Sequence, residues 1–332
     1  MSYGAMQLPV SPDPSYYQYY NEQVAFYAPT EATGSESPLT QSQVPTQKSP
    51  FITGETTVIS ISTAFYPGAH TTLESDVCFA SSDMVHFYVH SQIIKAASEK
   101  AFSSFLSGSL SEARFRDVVI NIPEESPALN TILHTLYNMS CAQNSPTLQT
   151  LVTAVRRMPF YDIRPNKFIQ PGAPLYIHLL SYAPLYPIDV YTLAGQFDLE
   201  ALAINSSSHL LSYPLSSITD EMAQRMGAIY LRRLMCLHIG RNLALKRILL
   251  VQPPPHPPTN ECNFENQKKL TRTWALVSAY LVWDSRPDLS TSTIRRTLEP
   301  LVEQLTCLEC HKALEQRIKD VMVQWASVKR TI

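Results

Sequence analysis

Apolar and polar positions change period several times along the chain, and each change marks an element. Val77 and Phe79, then Val85, Phe87 and Val89, recur at every second residue on either side of Ser81-Ser82-Asp83. That spacing predicts a β-hairpin turning on the polar cluster. Helical spacing follows in Ile93, Ile94, Ala97, Phe102, Phe105 and Leu106, with Gly108 as the stop. Val118, Ile120 and Ile122 alternate again, and Pro123 ends that strand. Leu129, Ile132, Leu133, Leu136 and Tyr137 then recur at i, i+3, i+4, i+7 and i+8, which predicts an amphipathic helix.

From about Ser145 the strand period does not return. Short helical stretches are expected over Leu148–Val155 and Leu175–Tyr182, with a proline-punctuated loop from Pro159 to Pro174 between them. Val190, Leu193, Ala194 and Phe197, then Leu199, Leu202, Leu210 and Leu211, predict two helices meeting at Phe197-Asp198. Thr219–Leu250 is a long helical block with a break at Gly240, and Gln267–Trp283 and Ser292–Val328 are the last two helical segments. The run Pro253-Pro254-Pro255-His256-Pro257-Pro258 cannot continue a helix and reads as a linker or extended loop.

Residues 1–70 carry neither period. They are rich in Tyr, Gln, Ser, Thr and Pro, with Tyr16–Tyr20 as a polar-aromatic run and Lys48 as the one basic residue. So little aliphatic surface does not offset the entropy of ordering, and a disordered arm is expected. Its Ser-Pro pairs at Ser11, Ser37 and Ser49 have the form of proline-directed phosphorylation sites, but such dipeptides are common in any tail of this composition. The resulting organisation is an arm over 1–70, an α+β core over 71–140, and an insertion with the proline-rich loop over 141–185. A helical continuation covers 186–250, a Pro-rich linker 251–265 and C-terminal helices 266–332.

Composition removes several function classes. With 45% hydrophobic residues and a net charge of -2, the chain is globular and lacks the basic balance that phosphate contacts require, so direct nucleic-acid binding is not expected. Arg232, Arg233, Arg241, Lys246 and Arg247 crowd one helical stretch and read as a solvated face. The six cysteines are too sparse for a disulfide scaffold. With no secretory leader and no apolar span, a reducing intracellular compartment (cytoplasm or nucleus) and no membrane partner are expected. No Gly-rich phosphate loop or nucleophile elbow is present, so an enzyme is not expected. Trp274, Trp283 and Trp325 fall on helical apolar faces and are expected in the core.

The stretch Ser75–Phe102 resembles the opening of a BTB/POZ domain, with Asp76, Phe87, His90, Ile94, Ser98 and Phe102 at the places of that family's pattern. Asp117–Tyr137 is similar to the family's next strand and helix. Val190-Tyr191-Thr192-Leu193-Ala194, with Phe197, Asp198, Leu199 and Leu202, is similar to its closing helix pair. The chain is most similar overall to the BTB-domain proteins of basidiomycete fungi. It departs from the pattern at Ser91 and in a hairpin turn without glycine, and it shows no clear match to the helical extension that binds cullins. The resemblance implies an α+β BTB/POZ fold followed by an all-α region. It also implies a non-enzymatic role in homodimerisation or partner recruitment, with Asp76, Phe87, His90 and Phe102 at the interface. Asp76 is either that family's interface carboxylate or a locally paired strand-start residue. An open strand edge near Leu73–Phe79 would add to a neighbour's sheet. A cullin-type ubiquitin-ligase adaptor and a transcriptional or chromatin regulator are the alternative functions.

Cys307-Leu-Glu-Cys310-His311 is the sharpest local motif. Two thiolates and an imidazole are zinc ligands, and Cys236 and His238 could complete such a set in space. A single Cys-x-x-Cys is an incomplete ligand set, however, and residues 307 and 310 of a helix share a face as small buried groups. No cofactor is therefore expected, with zinc on Cys307, Cys310 and His311 as the alternative. His90 reads as a core or capping histidine.

Overall fold

A computed structural model describes residues 59–69, 74–97, 100, 102 and 119–332, all within one compact unit. The polar arm up to residue 58, Ser98, and the helical spacing at Phe105, Leu106 and Gly108 lie outside the described residues. The chain is α+β; its described residues form a four-stranded sheet and a largely helical remainder.

The hairpin forms as its period-two pattern predicts. Strand β2 (Val77–Ala80) pairs antiparallel with β3 (Val85–Val89), Val77 opposite Val89 and Phe79 opposite Phe87. The turn has no glycine, and Met84 takes the left-handed conformation at φ 61° while Ser81 Oγ accepts from Val85 N at 3.0 Å. Strand β4 (Val119–Asn121) runs parallel to β2, and the short β1 (Ser60–Ile61) runs parallel to β3, giving the order β1-β3-β2-β4. Two sequence expectations are corrected here. Order begins before the expected boundary at residue 70, since β1 joins the sheet and Phe65 is fully buried. Nor is Val77–Phe79 an open edge. It lies in a central strand whose four residues are all buried, and among the described residues the edges are β1 and β4.

The two strand-to-helix steps use one device twice. Helix α1 (Ser91–Ala97) and helix α2 (Ser126–Leu136) both begin at serine and carry no acid in the first turn. An aspartate from the preceding chain reaches each start instead. Asp76 accepts from Ser91 N at 2.7 Å and Ser91 Oγ at 2.5 Å. Asp83 accepts from Ser126 N at 2.8 Å and Ser126 Oγ at 2.6 Å. Negative charge and an acceptor at a helix N-terminus satisfy orphan amides and oppose the macrodipole. Helix α2 then runs through the core, with every residue from Ala128 to Leu136 buried.

Helices α3 (Leu148–Arg157), α4 (Pro165–Phe168), α5 (Pro174–Ser181), α6 (Pro187–Gln196) and α7 (Glu200–Ser207) complete a first core around the sheet. Four of these five are bounded by the proline and turn punctuation that the sequence displays. Helix α8 (Asp220–Leu250) follows, and it spans two cores. Met226, Tyr230 and Leu234 pack into the first, and Leu245, Ile248 and Leu249 into a second. Its break is at Gly227, where φ is 78°, and not at Gly240. Next to that break Gly195 of α6 meets α8 so closely that a Cβ would lie 2.6 Å from Met226 O.

The second core is built by α9 (Phe264–Trp283), α10 (Thr291–Leu298), α11 (Pro300–Glu303) and α12 (Leu308–Ser327) against the end of α8. The segment read as one helix over Ser292–Val328 is thus three, divided at Pro300 and again before Leu308. Trp274 and Trp325 are buried and donate to Leu249 O and Leu289 O, at 3.0 and 2.7 Å. Trp283 is the exception to the expected core tryptophans, because it is 92% exposed.

Arg241 is also not on a solvated face. It is 2% exposed, and its guanidinium donates to Pro287 O at 2.6 Å and to Val328 O and Lys329 O at 2.9 Å, over the Trp325 ring. Arg232, Lys246 and Arg247 are exposed, as the solvated-face reading expects. Arg317 of α12 likewise closes the C-terminal end of α8 by donating to Ile248 O and, at 2.9 Å, to Val251 O. No helix among the described residues is long and apolar enough to cross a membrane.

Candidate functional site

One cluster of chemistry-bearing side chains forms where α8, α9 and α12 meet. After α8 the chain cannot stay helical through Pro253–Pro258, so it runs extended across the second core and turns back at Thr259–Cys262. Thr259 closes that turn, since Cys262 N donates to its Oγ1 at 3.1 Å while Thr259 N donates to Cys262 O at 2.9 Å. Cys262 stands just before Asn263, whose side chain caps α9. Cys307 is the N-cap residue of α12, and Cys310 faces the same way three residues on.

The fold brings these segments to one point. Nε2 of His256, Sγ of Cys262, Sγ of Cys307 and Sγ of Cys310 all lie within 4.8 Å of one another. His256 Nε2 is 3.3 Å from Cys310 Sγ and 3.4 Å from Cys307 Sγ, and the Cys262 and Cys310 sulfurs are 3.7 Å apart. The other ring nitrogen, Nδ1, is 2.7 Å from Pro257 O. A carbonyl only accepts, so Nδ1 carries the proton and Nε2 presents its lone pair to the three sulfurs. Gln267, buried on α9, donates from Nε2 to His256 O at 2.9 Å and fixes the backbone behind the ring.

The cysteine environments differ. Cys310 and Cys262 are buried, while Cys307 is partly exposed. The Cys310 and Glu309 amides at the start of α12 donate to the Cys307 sulfur and lower its pKa to about 7. Burial, with the neighbouring Cys262 and Cys307 thiols, pushes Cys310 up to about 12. Three sulfurs and one imidazole nitrogen are the donor types of a tetrahedral soft or borderline metal ion.

Of the residues named for the alternative zinc site, Cys307 and Cys310 belong to this cluster and His311 does not. The His311 ring lies 3.9 Å from Glu315, one turn along α12. Cys236 is exposed, and His238 is buried elsewhere, donating to Leu210 O at 2.9 Å. His256 and Cys262 escape the sequence reading because they lie in a proline-rich stretch that reads as a linker. The available signal was a histidine and a cysteine six residues apart in a loop, followed downstream by Cys-x-x-Cys.

The residues that the family resemblance assigns to an interface are placed differently. Phe87, His90 and Phe102 are in the interior, each at most 3% exposed. Phe102 stacks on Tyr161 with ring centroids 4.3 Å apart, and His90 N donates to Tyr137 Oη at 2.8 Å. Asp76 is half-buried and paired with Ser91. A scan against protein-family models gives no match, and a search of curated proteins gives none either.

Proposed function

We propose that the chain is a non-enzymatic protein-interaction module in which a BTB/POZ-type domain is extended by an all-helical region. The domain reading is supported by the order hairpin, helix, parallel strand, buried helix, which follows the elements that the family resemblance implies. It is supported too by the closing pair α6 and α7, where that resemblance expects a helix pair.

The observation that carries the interaction is an apolar stripe on α9. Leu276, Tyr280 and Trp283 lie at i, i+4 and i+7, so they share one face of that helix. They are strongly exposed, while Leu270, Trp274 and Leu281 on another face build the second core. A single exposed apolar residue is ordinary, but a row of three that includes a nearly bare tryptophan marks a contact surface. Covering Trp283 alone would remove on the order of 200 Å² from water, a gain of about 5 kcal/mol before the costs of association. The first partner to test is a second copy of the chain.

Light scattering of the full chain at tens of micromolar should give about twice the monomer mass of 37.3 kDa. Replacing Tyr280 and Trp283 with serine should shift the population toward monomer. A wild-type chain that stays at the monomer mass refutes self-association.

A further inference from the structure

We propose that His256, Cys262, Cys307 and Cys310 bind one zinc ion that fastens the proline-rich segment to the C-terminal helices. The proposal is independent of the interaction reading above and rests on three observations.

The first is the size of the cluster. In a tetrahedral site with Zn–S near 2.3 Å and Zn–N near 2.05 Å, two sulfurs are about 3.8 Å apart and a sulfur and a nitrogen about 3.5 Å apart. Three of the six edges, 3.7 Å between the Cys262 and Cys310 sulfurs and 3.3 and 3.4 Å from His256 to the Cys310 and Cys307 sulfurs, match such a tetrahedron, and all four donor atoms lie within 4.8 Å of one another. They are far from the roughly 2.05 Å of a disulfide.

The second is the histidine's orientation. Metal-binding histidines use one nitrogen for the ion and donate the other N–H to a carbonyl or carboxylate, which fixes the tautomer. His256 makes that second contact through Pro257 O, and Gln267 holds the His256 carbonyl.

The third is that little else holds the segment down. Of residues 251–263 only Pro253 and Cys262 are buried, so an extended stretch lies on the surface with almost no apolar anchorage. Ordering a loop costs entropy that burial here does not offset, and a metal ligated from both the loop and α12 would offset it. Four protein donors complete a tetrahedral shell and leave no position for substrate, so the role assigned is structural.

The test is metal analysis of the full chain, purified without added metal and dialysed against metal-free buffer. About one zinc per chain is expected. Cys262→Ser and His256→Ala should each lose it, and His311→Ala should retain it. Because a ligand variant could simply fail to fold, wild-type chain is also exchanged with Co²⁺. Tetrahedral S₃N ligation should give sulfur-to-cobalt charge-transfer and intense d–d bands, and His256→Cys should keep the metal with shifted bands. Titrating the zinc form with a thiol-modifying mercurial should release the ion as the three ligand thiols react, after the exposed Cys236. A folded wild-type chain with less than about a tenth of an equivalent of zinc and no cobalt bands overturns the site. Loss of zinc on His311→Ala overturns this ligand set in favour of another, and iron or copper in zinc's place overturns the identity of the metal.

Discussion

Replacing Arg241 with methionine should destabilise the second core by about 3 kcal/mol. Methionine keeps most of the apolar stem that lies against Trp325 and deletes the guanidinium. The deletion leaves three main-chain carbonyls, of Pro287, Val328 and Lys329, without this donor. A buried acceptor that loses its partner costs roughly 1–3 kcal/mol, and the lost cation–π contact at 4.3 Å adds about 1 kcal/mol. Opposing this, the variant no longer has to bury a charge. Burial lowers the Arg241 pKa, so the wild-type chain bears that cost. The low ends sum to about 4 kcal/mol, and relief of about 1 kcal/mol from no longer burying the charge leaves about 3 kcal/mol, equivalent to a Tm lower by roughly 6–12 °C in a domain of this size. Urea unfolding followed by tryptophan fluorescence reads this core directly, because Trp274, Trp283 and Trp325 all belong to its helices. Arg247→Met, on the exposed side of the same helix, is the control and should change stability by less than about 0.5 kcal/mol. If the two variants unfold at the same urea concentration, Arg241 does not tie the end of the chain to α8 and the reasoning fails.

Further expectations concern the capping aspartate, the exposed tryptophan and pH. Asp76→Ala should cost about 1–2 kcal/mol, because it removes both the acceptor and the charge at the start of α1, and Asp76→Asn should cost less. Equal losses in denaturant unfolding would show that charge plays no part. Trp283→Ser, measured at protein concentrations where both chains are monomeric, should change the unfolding free energy by less than about 0.5 kcal/mol, since the side chain is 92% exposed; a larger loss in the monomer would mean that the residue is covered within its own chain. Burial holds the His238 imidazole below its ordinary pKa, against the opposing effects of Leu210 O and Asp288. The unfolded chain therefore takes up the proton first as pH falls. This contribution to stability is complete above about 6.5 and is lost below it, down to the folded-state value. His238→Asn should flatten the fall in stability between pH 7.5 and 5.5, and parallel wild-type and variant curves would count against the assignment.

The hairpin and α2 were legible because each satisfies a local rule. Val77, Phe79, Phe87 and Val89 alternate, and Leu129, Ile132, Leu133 and Leu136 follow helical spacing, whatever the rest of the chain does. The same holds for α9, whose cap at Asn263 lies just ahead of the expected start at Gln267. Errors arose where the deciding partner is distant in sequence. Strand β1 is two residues long and carries no period to detect, and it exists through pairing with β3. Arg241 looks like any other base on an exposed helix face until Pro287, Val328 and Lys329 surround it. Trp283 looks like a core residue because helical spacing shows that a face is apolar without showing what covers it.

By itself, then, the sequence determined the α+β class, the helical C-terminal region and half of the metal-type cluster, the Cys307–Cys310 pair on one turn of helix. Tertiary structure decided the other half. His256 and Cys262 come from a proline-rich stretch whose local chemistry says only that it cannot be a helix. They face Cys307 and Cys310 because that stretch crosses the second core and turns back at Thr259. Backbone periodicity acts over a few residues and can be read from a window of sequence. A donor set gathered across 54 residues depends on where packing sends the chain.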